Sequence, residues 1–209
     1  MIPVTIKAIH YIPNATNALC RMLNVPEHFP SLALITTDSD DATYIALDEA
    51  TKAADVTVCY SRSFYAGAAN ASTPNAGEVI GILCGKTPGG VKSGMNAVQA
   101  ALQRIGFDET KGVPYLAHTV ASCGSFLAAE AGVPIGSALA YLIAPPLESM
   151  VAMDSALKAA DVRLCKLYAP PSETNFGGGL LSGTQSACAA ACDAFRATVE
   201  AIAMRPIEG

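Results

Sequence analysis

Apolar runs and amphipathic stretches alternate along this chain in an order that predicts an α/β protein. Residues 4–12 and 113–121 read as strands. Ser31-Leu-Ala-Leu-Ile-Thr36 and Ser137-Ala-Leu-Ala-Tyr-Leu-Ile143 are both apolar strands. Each leads into an alanine-rich segment with helical spacing. Val25-Pro26 and Val133-Pro134 each close a shorter helix upstream. Residues 79–84 and 180–182 read as strands, and residues 90–104 and 185–203 as the helices after them. Each half therefore reads strand, helix, strand, helix, strand, loop, strand, helix.

The two halves share sequence as well as order. Residues 46–59 (Ala-Leu-Asp-Glu-Ala-Thr-Lys-Ala-Ala-Asp-Val-Thr-Val-Cys) match residues 152–165 (Ala-Met-Asp-Ser-Ala-Leu-Lys-Ala-Ala-Asp-Val-Arg-Leu-Cys) at nine of fourteen positions. The offset is about half the chain, so this is a domain duplication and not a solenoid. The polar, glycine-flanked stretch 106–112 marks the boundary, giving domains 1–108 and 109–209. Asp48 with Lys52, and Asp154 with Lys158, predict a solvated i,i+4 ion pair on the same helix of both halves.

Composition narrows the function. The chain has 209 residues, 13 basic against 18 acidic, for a net charge of −5. No basic face is available for phosphates, so nucleic acid is excluded as the main partner. Hydrophobic residues make up 51% and charged residues 15%, which excludes disorder. A mean hydropathy of +0.35 points to apolar surface buried between subunits. No signal peptide is visible at Met1-Ile-Pro-Val-Thr-Ile-Lys7, and no run approaches the roughly 18 apolar residues that span a bilayer, so no membrane partner is expected. Seven cysteines without a Cys-x-x-Cys pair read as reduced thiols of a cytoplasmic protein. With only His10, His28 and His118, no zinc spacing exists, and no metal site is expected.

Enzymatic motifs are missing. Gly81-Ile-Leu-Cys-Gly85-Lys86-Thr87 has three residues between the glycines where a phosphate loop has four, and Pro88 reads as the start of the next helix. Gly-x-Ser-x-Gly is absent, Gly124-Ser125 reads as a helix start, and no catalytic residue is assigned. The acidic loop Asp38-Ser39-Asp40-Asp41 is richer in carboxylates than a cap for the helix near Ala42 requires. Glu78 opens a strand in the same half. Together they suggest a site for a small cation. The loops 61–77 and 169–179 are long and rich in Gly, Pro, Ser and Asn, a composition that permits alternative backbone states.

These residues also carry a resemblance. Residues 32–52 (Leu-Ala-Leu-Ile-Thr-Thr-Asp-Ser-Asp-Asp-Ala-Thr-Tyr-Ile-Ala-Leu-Asp-Glu-Ala-Thr-Lys), Ser63-Phe-Tyr-Ala-Gly-Ala-Ala69, Ala76-Gly-Glu78, residues 140–148 and Pro170-Pro-Ser-Glu-Thr-Asn175 resemble the EutL family, tandem-domain shell proteins of the ethanolamine-utilisation bacterial microcompartment. The likeness covers nearly the whole chain. It implies two tandem, ferredoxin-like, circularly permuted BMC shell domains of α/β (α+β) class. It further implies a homotrimeric pseudohexamer that tiles with other shell proteins into a polyhedral, cytoplasmic organelle around the ethanolamine ammonia-lyase pathway. A gated central pore is implied, plugged or opened by loops matching Ser63, Phe64, Tyr65, Ala66, Gly67, Pro170, Pro171, Ser172, Glu173, Thr174, Asn175 and Phe176. A small pore between the domains would bind ethanolamine through Asp40, Glu78 and Phe107, with Thr184 a weaker match and Asp41 adjacent. No cofactor is required by this reading; cobalamin would be a transported or bound ligand. The rival readings are an ethanolamine sensor that never assembles a shell, and an enzyme, for which the chain shows no base or nucleophile.

Overall fold

Residue alternation in β2 (Ser31–Thr37) organises the first half of this computed structural model, which describes residues 1–64, 75–170 and 175–207. Leu32 and Leu34 turn to one face, with Ile82 and Cys84 of β4 (Val79–Gly85) beside them. Ala15, Val25, Cys20 and Leu23, on and around α1 (Asn17–Met22), cover that face. The other face carries α2 (Asp40–Ala53) and α3 (Pro88–Leu102), which pack on each other and on β2, β4 and β3 (Val56–Ser63). With β1 (Ile6–Ile12) at one edge, the sheet order is β1-β2-β4-β3, antiparallel throughout.

The second half repeats the scheme. Its sheet runs β5 (Asp108–Thr110), β6 (Val113–Val120), β7 (Ala138–Ala144), β9 (Gly177–Gly183), β8 (Val162–Tyr168), again antiparallel. Ala138, Ala140, Leu142 and Ala144 of β7 share a face. They pack with Ala152, Met153 and Ala156 of α5 (Pro146–Ala159) and with Cys188, Ala191, Cys192, Phe195 and Val199 of α6 (Gln185–Met204). Alanines at the interface let these helices lie close to the sheet, where dense packing recovers dispersion energy.

Two compact units result. One is Pro3–Ile105 with Gly124–Leu127; the other is Met1–Ile2, Gly106–Cys123 and Ala128–Gly209. The changeover at 105/106 lies three residues before the 108/109 boundary drawn from sequence. The short helix α4 (Ser125–Ala131) begins within the first unit.

The element order predicted for each half is observed, with four differences. Residues 108–110 form β5 inside the stretch read as a polar boundary. The triplet Gly177–Gly179, read as loop, is the start of β9. Here glycine serves close approach: Gly178 has φ +147, and a Cβ at Gly179 would strike the Lys166 carbonyl oxygen. Helix α2 begins at Asp40 rather than near Ala42, so Asp40 and Asp41 are first-turn residues. Finally, Asp48 and Lys52 are not a solvated pair. The i,i+4 pair forms with Lys52 Nζ 4.0 Å from Asp48, but Asp48 is 0% exposed, and Lys52 also contacts Glu49 at 2.5 Å. Asp154 and Lys158 do form the exposed pair, at 2.5 Å. Gly81 and Gly85 both lie in β4, Lys86 pairs with Asp55 at 3.0 Å, and Pro88 opens α3 behind the Thr87 cap. Among the described residues, no helix is long and apolar enough to cross a membrane.

Candidate functional site

The turn from β2 into α2 places the acidic residues. Thr37 Oγ1 accepts the Ser39 N–H at 3.1 Å and shares a 2.7 Å hydrogen bond with Thr43 Oγ1. The Thr43 hydroxyl also bonds the Ser39 carbonyl oxygen at 2.7 Å. Side-chain bonds of this kind lock a turn that would otherwise compete with the helix. They fix Asp38 before the helix and Asp40 and Asp41 in its first turn, where the helix dipole favours negative charge.

Each carboxylate has a different environment. Asp38 is matched: Thr5 N–H donates to its Oδ1 at 2.7 Å, and Lys7 Nζ lies 3.6 Å from its Oδ2. Asp40 is 8% exposed and accepts the Asp41 N–H at 2.8 Å and the Ser63 hydroxyl. Burial pushes its carboxyl above the ordinary range, against the hydrogen bonds that favour the charged form. Ser63 at the end of β3 is in turn bonded to the Tyr44 hydroxyl at 2.6 Å. Tyr44 stands one helical turn after Asp40, so the i,i+4 spacing was the sequence signal for it.

Glu78 arrives from the other side. Its N–H donates to the Thr37 carbonyl oxygen at 2.7 Å, and its own carbonyl oxygen accepts the Phe64 N–H at 2.9 Å. Its carboxyl is raised by burial, then by the Asp40 and Asp38 charges, with Lys7 opposing. Thus Asp38, Asp40 and Glu78 come together in the first unit, with Ser63 and Tyr44 behind Asp40. Among the described residues, Thr36 Oγ1 and Ser39 Oγ beside them are buried without a hydrogen-bond partner. Lys7 and Tyr44 are the members that sequence reading missed; Lys7 reaches the cluster only through the pairing of β1 with β2.

Phe107, Pro170, Asn175, Phe176 and Thr184 lie in the second unit. The Phe107 ring meets the Phe176 ring edge-on at a centroid distance of 5.7 Å, and the Phe107 carbonyl oxygen accepts the Ile2 N–H at 2.5 Å. Thr184 is the N-cap of α6, accepting the Ala187 N–H at 3.1 Å. Asn175 sits at φ +62 before β9. Ser63, Phe64, Pro170, Asn175 and Phe176 are described; Tyr65, Ala66, Gly67, Pro171, Ser172, Glu173 and Thr174, assigned to the pore gate, lie outside the described residues.

The cluster has acceptors for a cation and hydroxyls for a polar tail, and no nucleophile paired with a base. Comparison with known proteins agrees with a structural role. Residues 31–115 match the BMC domain family. The chain is 51% identical to the bacterial microcompartment shell protein EutL of Clostridium perfringens, over 99% of this chain and 97% of that protein. The crystal structure of the ethanolamine utilization protein EutL of Leptotrichia buccalis superposes with a TM-score of 0.95 at 51% identity, covering 100% of this chain and 98% of that one. A trimeric microcompartment shell protein, PduB, shares the fold at a TM-score of 0.80 and 20% identity, over 96% and 89% of the two chains. Two α/β units that share a four-strand order, joined by full-length identity of this size, leave one assignment: the chain belongs to the EutL family of bacterial microcompartment shell proteins, which are structural proteins and not enzymes.

Proposed function

We propose that the chain assembles as a homotrimer, a pseudohexameric tile in the shell of a cytoplasmic ethanolamine-utilisation microcompartment, and that its acidic cluster binds ethanolamine. The observation that carries the ligand is the raised carboxyls of Asp40 and Glu78, one held up mainly by burial and the other also by its acidic neighbours. Such a cluster is relieved by a cation. Ethanolamine is an ammonium at neutral pH and carries one hydroxyl. Its charge suits the two carboxylates, and its hydroxyl suits the unpartnered Thr36 or Ser39 oxygens. Phe107 and Thr184 belong to the same reading by resemblance alone. Cobalamin is proposed as a solute the shell passes, not as a resident cofactor.

Exposed apolar side chains fit assembly. Leu147 and Val151 lie one turn apart on α5 at 61% and 47% exposure, and Leu164 and Leu167 on β8 at 40% and 48%. Covering them in a trimer removes apolar area from water. Mass in solution with electron microscopy at high concentration tests assembly: a trimer forming flat arrays is expected, and a monomer at all concentrations would overturn it. Calorimetric titration tests the ligand: ethanolamine binds and propanol, which lacks the charge, does not. A non-assembling protein that still binds ethanolamine would be the sensor instead.

A further inference from the structure

Strand β3 has a bulge where it pairs with β4. Thr57 faces Cys84 and Val58 faces Leu83, but the next pairing is Tyr60 with Ile82. Cys59 is the extra residue. Its thiol bonds the Ile82 carbonyl oxygen at 3.5 Å, two residues from Cys84 on the same face of β4. Both sulfurs belong to the apolar cluster under α1, on neighbouring strands, where Cys59 lies diagonally across from Cys84. Cys84 is 0% exposed, whereas Cys59 is only partly buried.

We propose that Cys59 and Cys84 form a dithiol site oxidised by peroxides, with Cys59 the attacking thiol and Cys84 the resolving one. The Cys59 sulfur attacks one peroxide oxygen, the O–O bond breaks, and water leaves with the thiol proton, making a sulfenic acid. The Cys84 sulfur then attacks the Cys59 sulfur, the S–O bond breaks, and the hydroxide leaves with the Cys84 proton as a second water. Two thiols are oxidised to one disulfide and one peroxide is reduced to two waters. The roles follow from access and acidity. The neighbouring Cys84 thiol holds the Cys59 thiol below its ordinary value against the effect of burial, while the same proximity and burial push the Cys84 thiol up. A reactive, partly exposed thiol next to a buried one is the arrangement that stops oxidation at the disulfide.

The duplicated half supplies the control. Its bulge between Leu164 and Lys166 puts Cys165 where Cys59 stands. Gly183 pairs with Val162 as Gly85 pairs with Val56, so Ser182 takes the place of Cys84 and donates instead to the Ala138 carbonyl oxygen at 3.0 Å. Among the described residues, the position on β4 or β9 that faces this bulge carries a sulfur in the first half and a hydroxyl in the second. The third nearby thiol, Cys20, turns toward the Ala15 carbonyl oxygen.

The test treats the folded, full-length protein with hydrogen peroxide, blocks remaining thiols with a maleimide in denaturant, and maps peptides without reduction. A Cys59–Cys84 cross-link with a mass loss of two hydrogens is expected, with Cys165 still alkylated. In Cys84→Ser, dimedone should trap a sulfenic acid at Cys59. The proposal is overturned if Cys59 and Cys84 stay alkylated in the wild type, or if Cys59 links to Cys20 instead.

Discussion

The Asp48 carboxylate accepts the Gly124 N–H at 2.6 Å through one oxygen and the Leu127 N–H at 2.9 Å through the other. Thr51, one turn later on α2, accepts the Ser125 N–H at 3.1 Å. Helix α2 thus supplies the N-terminal cap of α4 from far away in sequence, satisfying donors that a local Ser or Asp would ordinarily take. A Cβ on Gly124 would strike Thr51 Oγ1 and lie 2.7 Å from the Asp48 carbonyl oxygen, so the fit needs glycine. The repeat partner Asp154 has no such task and stays at the surface.

Asp48→Ala leaves two backbone donors buried and unpaired, and should cost the first unit about 2–4 kcal/mol. Asp154→Ala removes an exposed pair and should cost at most about 0.5 kcal/mol. Urea unfolding followed by circular dichroism compares them. Equal midpoints for the two variants would show that the Asp48 bonds do not hold α4 in place.

Asp40→Asn and Glu78→Gln each remove a charge from the proposed ethanolamine site while keeping shape. Each should weaken binding by about 1–3 kcal/mol, the scale of a charge-assisted hydrogen bond. Calorimetry on the two variants reads this directly; unchanged affinity in both would remove the carboxylates from the site.

The raised carboxyls of Asp40 and Glu78 set a pH dependence. In the folded chain they hold protons at pH values where the unfolded chain has released them. Unfolding then releases protons, so stability falls as pH rises from the ordinary carboxylate range, near about 4, through the folded values. Denaturation midpoints between about pH 4 and 7 should decline in the wild type and decline less in Asp40→Asn and Glu78→Gln. Ethanolamine affinity should rise over the same window, because the ammonium binds the ionised forms. An affinity that falls with pH there would contradict the assignment.

Gly77 lets the chain enter β4 beside Thr36 and Thr37. A methyl group there would strike the Thr37 carbonyl oxygen and Thr36 Oγ1, next to the bond by which Glu78 N–H holds Thr37. Gly77→Ala should lower stability by about 1–3 kcal/mol and displace Glu78. Thermal melting and ethanolamine titration of the variant would both shift; wild-type values for both would show the strand entry to be slack.

Element order and duplication were legible in the sequence because both rest on local pattern. The apolar runs at 31–36 and 137–143 are of strand length and form β2 and β7, and the repeat at 46–59 and 152–165 needs no coordinates. The acidic turn 38–41 and Glu78 were legible as chemistry, since four carboxylates exceed what a cap requires. Their distinction was not. Asp38 is matched by Thr5 and Lys7, and Asp40 is buried against Ser63, only because β1 pairs with β2 and β3 ends beside α2. Asp48 shows the limit most clearly: its sequence context is that of Asp154, and the difference comes from Gly124 and Leu127. Local periodicity dictates which backbone forms, because each residue's neighbours are fixed by the chain. Burial, pairing and acidity depend on groups brought in from elsewhere, so they were decided by tertiary packing.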